Sequence, residues 1–140
     1  MSEICLDSGV LSIFFTKNPT DQVQKLMKEI QQGKVKAYIP KPVLIEAFFH
    51  ICKNDGKENA KITIINFLEK YPINLVEFDR NLIIFAGQLK CQHRNSLSYI
   101  DCMGIAIALN KKIQFHITEI NLKKIPNNLL GKLKVVKYSF

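Results

Sequence analysis

Short apolar runs suited to strands alternate with stretches of helical periodicity along almost the whole chain, and this alternation constrains the fold more than any other feature. Glu3 to Leu6 form a first strand with Asp7 just past its end. Thr20 to Gly33 place Val23, Leu26, Met27 and Ile30 at the i, i+3, i+4, i+7 spacing of an amphipathic helix that closes on Gly33. Val35 to Ile39 read as a second strand, and Pro40 and Pro42 separate it from a helix over Val43 to about Lys53, with Pro42 in its first turn. That helix is apolar on nearly all sides, which predicts burial. Asn54 to Asn59 read as a turn and Ala60 to Lys70 as a helix with Ile64, Phe67 and Leu68 inward, stopped by Pro72. Ile73 to Phe78 give a third strand. Asp79 caps a helix reaching about Arg94, with Leu82, Ala86 and Leu89 at core spacing, and Ser98 caps another from Tyr99 to Asn110. Ile113 to Ile117 and Leu133 to Val136 supply the last two strands.

Strands joined through helices need crossover connections, whose fixed hand covers both faces of a mostly parallel sheet. The expected fold is therefore α/β, a three-layer α/β/α sandwich with a mostly parallel five-stranded sheet, in one domain over residues 1–140. In such sheets ligands bind beyond the carboxyl ends of the strands, near the point where strand order reverses. Asp7, ending the first strand, and the Thr118-Glu119 pair, ending the fourth, fall where that rule puts a site.

With 140 residues and 47% hydrophobic content the chain can build a real core. No stretch approaches the roughly 18 apolar residues of a membrane span, and MSEICLDSGV lacks the basic segment of a secretory leader, so a cytoplasmic protein is expected. Cys5, Cys52, Cys91 and Cys102 show no CxxC pairing and read as small buried hydrophobes rather than as a zinc site or a disulfide framework. A net charge of +8, carried almost wholly by lysine, attracts polyanions and suits contact with a phosphate backbone better than reading of bases. Lys111, Lys112, Lys123, Lys124, Lys132, Lys134 and Lys137 crowd the last third, and those flanking Glu119 are candidates for nucleic-acid phosphates.

Three carboxylates stand where an acid is hard to explain by structure alone. Asp7 can cap a helix starting at Ser8. Glu46 lies within the apolar helix, where an unpaired carboxylate costs several kcal/mol and needs a lysine partner or a metal. Asp101 follows Ser98 by three residues, the spacing of a capping box. The three come from separate elements that this fold brings to one end of the sheet. Convergent carboxylates repel unless a cation neutralises them, and oxygen donors without Cys or His favour Mg²⁺ or Mn²⁺ over zinc. Such an ion readies water for attack on a phosphodiester.

LDSGVL around Asp7, IPKPVLIEAFF around Glu46 and LSYIDCMGIAIAL around Asp101 resemble, in order, spacing and apolar framing, the three acidic motifs of PIN-domain nucleases. The resemblance spans essentially the whole chain, including VEFDRNLIIFAGQLK, and is strongest to the small prokaryotic VapC-like toxins. It implies an endoribonuclease in which Asp7, Glu46 and Asp101 bind Mg²⁺ or Mn²⁺, a homodimer, and a VapB-like antitoxin as partner. The fourth motif departs from the pattern: members commonly show Thr, one residue, then Asp, whereas ITEINLKKI puts Glu119 directly after Thr118 and Ile120 where the Asp would stand. Glu119 is the expected fourth acid and Asn121 the fallback.

His50, His93 and His116 share no motif and are expected in structural or surface roles. A second hypothesis keeps the fold without efficient catalysis, as an RNA-binding or protein-interaction module, and the altered fourth motif is its support. An RNA-processing nuclease outside any toxin pair is a further alternative. A response-regulator-like phosphoacceptor shares the layer pattern but needs an acidic pair after the first strand, where only Asp7 stands.

Overall fold

The computed structural model describes residues 2–139. Its five strands, β1 (Ser2–Leu6), β2 (Val35–Pro40), β3 (Asn74–Val76), β4 (Gln114–Thr118) and β5 (Lys134–Tyr138), form a single sheet in the order β3-β2-β1-β4-β5. Every pair is parallel, with Cys5 beside Tyr38 on one side and beside Phe115 on the other. The expected sheet is thus present, and β1 stands at its centre, where the chain turns from one flank to the other.

Alternation along the strands assigns their side chains to two cores. Ile4, Leu6, Ala37 and Ile39 face one side, packed by α1 (Ser8–Phe14), α2 (Asp21–Gln31) and α3 (Lys41–Asp55). Cys5, Phe115 and Ile117 face the other, packed by α5 (Arg80–Gln92) and α6 (Tyr99–Lys111). The chain also forms α4 (Lys57–Lys70) and two single turns, α7 (Glu119–Leu122) and α8 (Asn127–Leu130). The apolar triplets of α2 bury as their spacing requires: Val23, Leu26, Met27 and Ile30 all lie inside.

Several expectations need correction. The segment Asn54 to Asn59 is no open turn: α3 runs to Asp55 and α4 begins at Lys57, with Gly56 alone breaking the helix at φ 87°, a left-handed value that suits glycine. The helix α3 is not buried on all sides. It touches the sheet and its neighbours along one stripe, Val43, Leu44, Ala47 and Ile51, which leaves Ile45 72% and Phe49 60% exposed. On α4 only Phe67 of the three expected inward residues is buried, and Leu68 is exposed. Ala86 on α5 is only half-buried beside buried Leu82 and Leu89. Cys5 and Cys102 are buried, but Cys52 is half-buried and Cys91 exposed. Among the described residues no helix is long and apolar enough to cross a membrane.

Candidate active site

The chain leaves β1 at Leu6 and turns at once into α1, whose N-cap is Asp7. That helix was invisible to periodicity because its seven residues span barely two turns. Asp7 is 3% exposed, and its Oδ2 accepts hydrogen bonds from the Gly9 backbone N–H at 3.2 Å and from Asn121 Nδ2 at 2.6 Å. Burial pushes its pKa up to about 6, against the lowering by those two donors, and the nearby Asp101 charge raises it further. Among the described residues no lysine or arginine pairs with it.

Asn121 reaches Asp7 because Thr118, ending β4, caps α7: Thr118 Oγ1 accepts from the Asn121 N–H at 3.4 Å. The first turns of α1 and α7 touch so closely that a Cβ on Gly9 would lie 2.7 Å from Thr118 Cγ2 and 3.0 Å from Asn121 Nδ2. Gly9 is therefore a requirement of this contact. Thr118 is 1% exposed and has no room to withdraw.

Above this floor opens a cleft of about 470 Å³, lined by Ser8, Glu46, His50, Asp101, Asn121 and Lys124 among others. It lies at the carboxyl ends of β1, β2 and β4, where the open α/β sheet binds ligands. Glu46 enters from α3, its side chain 34% exposed, with Oε1 3.9 Å from His50 Nε2 one turn on. The expected deep burial of Glu46 does not hold, for the same reason that its helix is only half covered. His50 lines the cleft. Its sequence context predicts a structural or surface role, and no signal short of its i+4 spacing from Glu46 points here.

Asp101 enters from the first turn of α6. The expected capping box is complete: Ser98 Oγ accepts from the Asp101 N–H at 3.1 Å, and Asp101 Oδ2 accepts from the Ser98 N–H at 2.9 Å. This fixes the direction of the carboxyl group, and among the described residues Oδ1 has no protein donor. Glu119 does not line the cleft. Its Oε1 accepts from Ser139 Oγ at 2.9 Å and stands 3.6 Å from Lys137 Nζ, over the end of β5. Of the two candidates for the fourth position, Asn121 is the one beside Asp7.

His116, expected to be structural, is buried on β4, with Nδ1 2.7 Å from Tyr138 Oη and Nε2 3.2 Å from Gln114 Oε1. Burial lowers its pKa to about 4, so it is neutral at pH 7.

Every donor that Asp7, Glu46, Asp101, Asn121 and Thr118 offer is oxygen or amide, the chemistry of a hard divalent cation. Among the described residues no three His, Cys, Asp or Glu groups stand close enough together to hold an ion between them. Glu46 and Asp101 line one cleft, while Asp7 is buried beneath Ser8, Gly9 and Asn121 in its wall, and the three do not meet at a point. Asp7 is nevertheless a buried acid with no cationic partner, and a cation is what such a group lacks.

Fold and cleft together define an α/β domain with acids at the carboxyl edge of a parallel sheet. The PIN domain model matches residues 4–120, and the chain belongs to the PIN domain family, a family of nucleases. No curated protein matches the sequence. Among solved structures the fold is similar to a chain of VapBC2 from Rickettsia felis bound to a DNA fragment from its promoter, with a TM-score of 0.73, 16% identity, and coverage of 97% of this chain and 98% of that one. It is also similar to a chain of DNA-bound VapBC from Salmonella typhimurium, with a TM-score of 0.69, 15% identity, and 98% of each chain covered. Mycobacterium tuberculosis VapC20, described as a toxin cleaving the sarcin-ricin loop, matches with a TM-score of 0.59 and 17% identity over 79% of this chain and 85% of that one.

Proposed function

We propose that the protein is a Mg²⁺- or Mn²⁺-dependent endoribonuclease, with Asp7, Glu46 and Asp101 as the metal-holding acids and Asn121, rather than Glu119, completing the site. The observation that carries this reading is Asp7: a carboxyl group that the fold buries, leaves without a cation and keeps beside the Asp101 charge. The N-cap bond of Asp7 and the Asn121 donor offset only part of the burial, and a bound cation would supply the missing charge.

In this reading each residue has a separate task. Asp7 gives a fixed carboxyl group just beneath the cleft floor, oriented by Gly9 and Asn121. Asp101 presents its second oxygen from a locked first turn. Glu46 closes the set by rotation of its partly exposed side chain. Lys124 lines the same cleft and suits a phosphate of the substrate. A divalent ion bound there would lower the pKa of a water and offset charge developing on the attacked phosphate.

The VapBC complexes among the similar structures support a role as the toxin of a toxin-antitoxin pair, with a VapB-like antitoxin as partner. A homodimer in the cytoplasm belongs to the same proposal and rests on the family resemblance alone. The net charge of +8 supports RNA as the polyanion. Purified protein incubated with total RNA should cleave it with Mg²⁺ or Mn²⁺, stop on EDTA, and lose activity in Asp7→Asn and Asp101→Asn variants that keep their circular dichroism. Cleavage persisting in both variants would refute the assignment.

A second reading, a domain that binds RNA or protein but cuts poorly, is favoured by the acids not meeting at one point and by a fourth motif with Ile120 at the family's Asp position and an amide, Asn121, beside Asp7. Mg²⁺-independent RNA binding without cleavage would select it.

A further inference from the structure

We infer that Phe49 is a stacking platform for a base of the substrate that lies beside the acids. The inference rests on the nuclease reading for the cleft itself. Phe49 is 60% exposed although it lies on the wall of a concave, charged site beside Glu46 and His50. Core packing does not explain it, because the buried stripe of α3 runs along Val43, Leu44, Ala47 and Ile51. The Phe49 ring lies 5.8 Å from the His50 ring and 5.9 Å from Lys53 Nζ.

The other lip repeats the arrangement. Ile120 is 57% exposed and lines the cleft, with Lys124 one turn later in the same lining. The helix α3 follows β2 and α7 follows β4, and β1, which delivers Asp7, lies between those strands. Each side of the acidic floor thus presents an apolar side chain followed at i+4 by a lysine. A single strand offers the matching alternation of base face and phosphate, which aromatic and cationic side chains take together. A duplex does not, because its bases already stack on one another.

There is room for the strand to continue. A second cavity of about 510 Å³ shares Ser12 and His50 with the first and is lined beyond them by Phe15, Thr16, Lys17 and Asn54. Its lining offers flanking nucleotides polar partners and the Lys17 cation, with the Asp55 carboxylate on the same wall. The net charge of +8 sets the sign of the occupant.

The chain contains no tryptophan, so Phe49→Trp introduces a single fluorophore at the proposed contact. With EDTA present to prevent cleavage, a single-stranded oligoribonucleotide should quench its emission, and a blunt duplex of the same sequence should need at least about tenfold higher concentration. In turnover with Mg²⁺, Phe49→Ala should raise KM roughly tenfold with kcat within about threefold, and Phe49→Trp should restore KM. Binding of the single strand seen by anisotropy without quenching would overturn the inference, as would an unchanged KM in Phe49→Ala. A blue shift of the Phe49→Trp emission that grows with protein concentration and needs no RNA would also overturn it, and would assign the patch to protein contact. Quenching by single strands when the unmodified protein never cleaves would uphold stacking and defeat the nuclease reading. Cleavage indifferent to residue 49 would do the reverse.

Discussion

Asn121 donates its side-chain N–H to Asp7 Oδ2 at 2.6 Å, joining groups 114 residues apart in the chain. That bond ties the end of β1 to the end of β4 and partly offsets the burial of Asp7. It also gives residue 121 a role that its neighbour Glu119, engaged with Ser139 and Lys137, does not share. Removing the amide in Asn121→Ala should lower cleavage roughly ten- to hundredfold, as loss of a partner that orients a ligand does. Glu119→Gln should leave the rate within about threefold. Equal losses in the two variants would contradict the proposed division, and initial rates on one RNA decide it.

Asn121→Asp places a second carboxylate against Asp7. With EDTA the variant should unfold at lower temperature than the parent, because two facing acids repel. With millimolar Mg²⁺ it should gain more in Tm than the parent gains, since the cation then has an additional charged ligand. Thermal melts with and without the ion measure both terms.

Asp7 carries a raised pKa of about 6, against 3.8 ordinarily, mainly through burial. The folded state therefore holds this proton more tightly than the unfolded chain does, and the sign follows. Above pH 6 the charged form costs stability, about 3 kcal/mol at most, and the penalty fades as pH falls from 6 to 4. Metal-free Asp7→Asn should accordingly be more stable than the parent at pH 7 while losing activity. Urea unfolding at pH 7 and pH 4.5 should show the advantage shrinking toward the lower pH.

His116 works in the opposite sense over almost the same window. Burial lowers its pKa to about 4, so the unfolded chain takes up the proton first, near 6.5. Stability from the neutral ring is full above pH 6.5 and is lost as pH falls toward 4. His116→Gln should remove that loss, so that its stability rises on acidification under the Asp7 term alone. A parent whose urea midpoint changes little between pH 6.5 and 4.5, beside two variants that slope in opposite directions, is the expected result.

Gly9→Ala in an exposed helix would stabilise by about 1 kcal/mol. Here the added methyl meets Thr118 Cγ2 at 2.7 Å and Thr118 Oγ1 at 2.8 Å. The substitution should instead destabilise by about 1–3 kcal/mol, and cleavage should fall as α1 and α7 separate. The reversed sign in a denaturant titration identifies the close approach as the cause.

Much of this protein was legible in its residues. Short apolar runs specified the strands and period-3.6 patterns the longer helices, because a central strand is covered on both faces while a helix turns one face to a core. Ser98 and Asp101 announced their capping box, since that motif depends only on local spacing. The PIN-type motifs around Asp7, Glu46 and Asp101 pointed to one end of a parallel sheet, and the three do come to the carboxyl edge of β1, β2 and the start of α6. Helices as short as α1, α7 and α8 left no periodic trace, and the extent to which α3 is covered depended on neighbours that its own sequence does not name. Nothing local distinguished Asn121 from Glu119 as the residue beside Asp7, or placed His50 and Phe49 in the cleft. Those choices follow from how β1, β2 and β4 bring distant segments together. Sequence spacing governs which side chains share a face, whereas the distance between faces is set only when the whole sheet has packed.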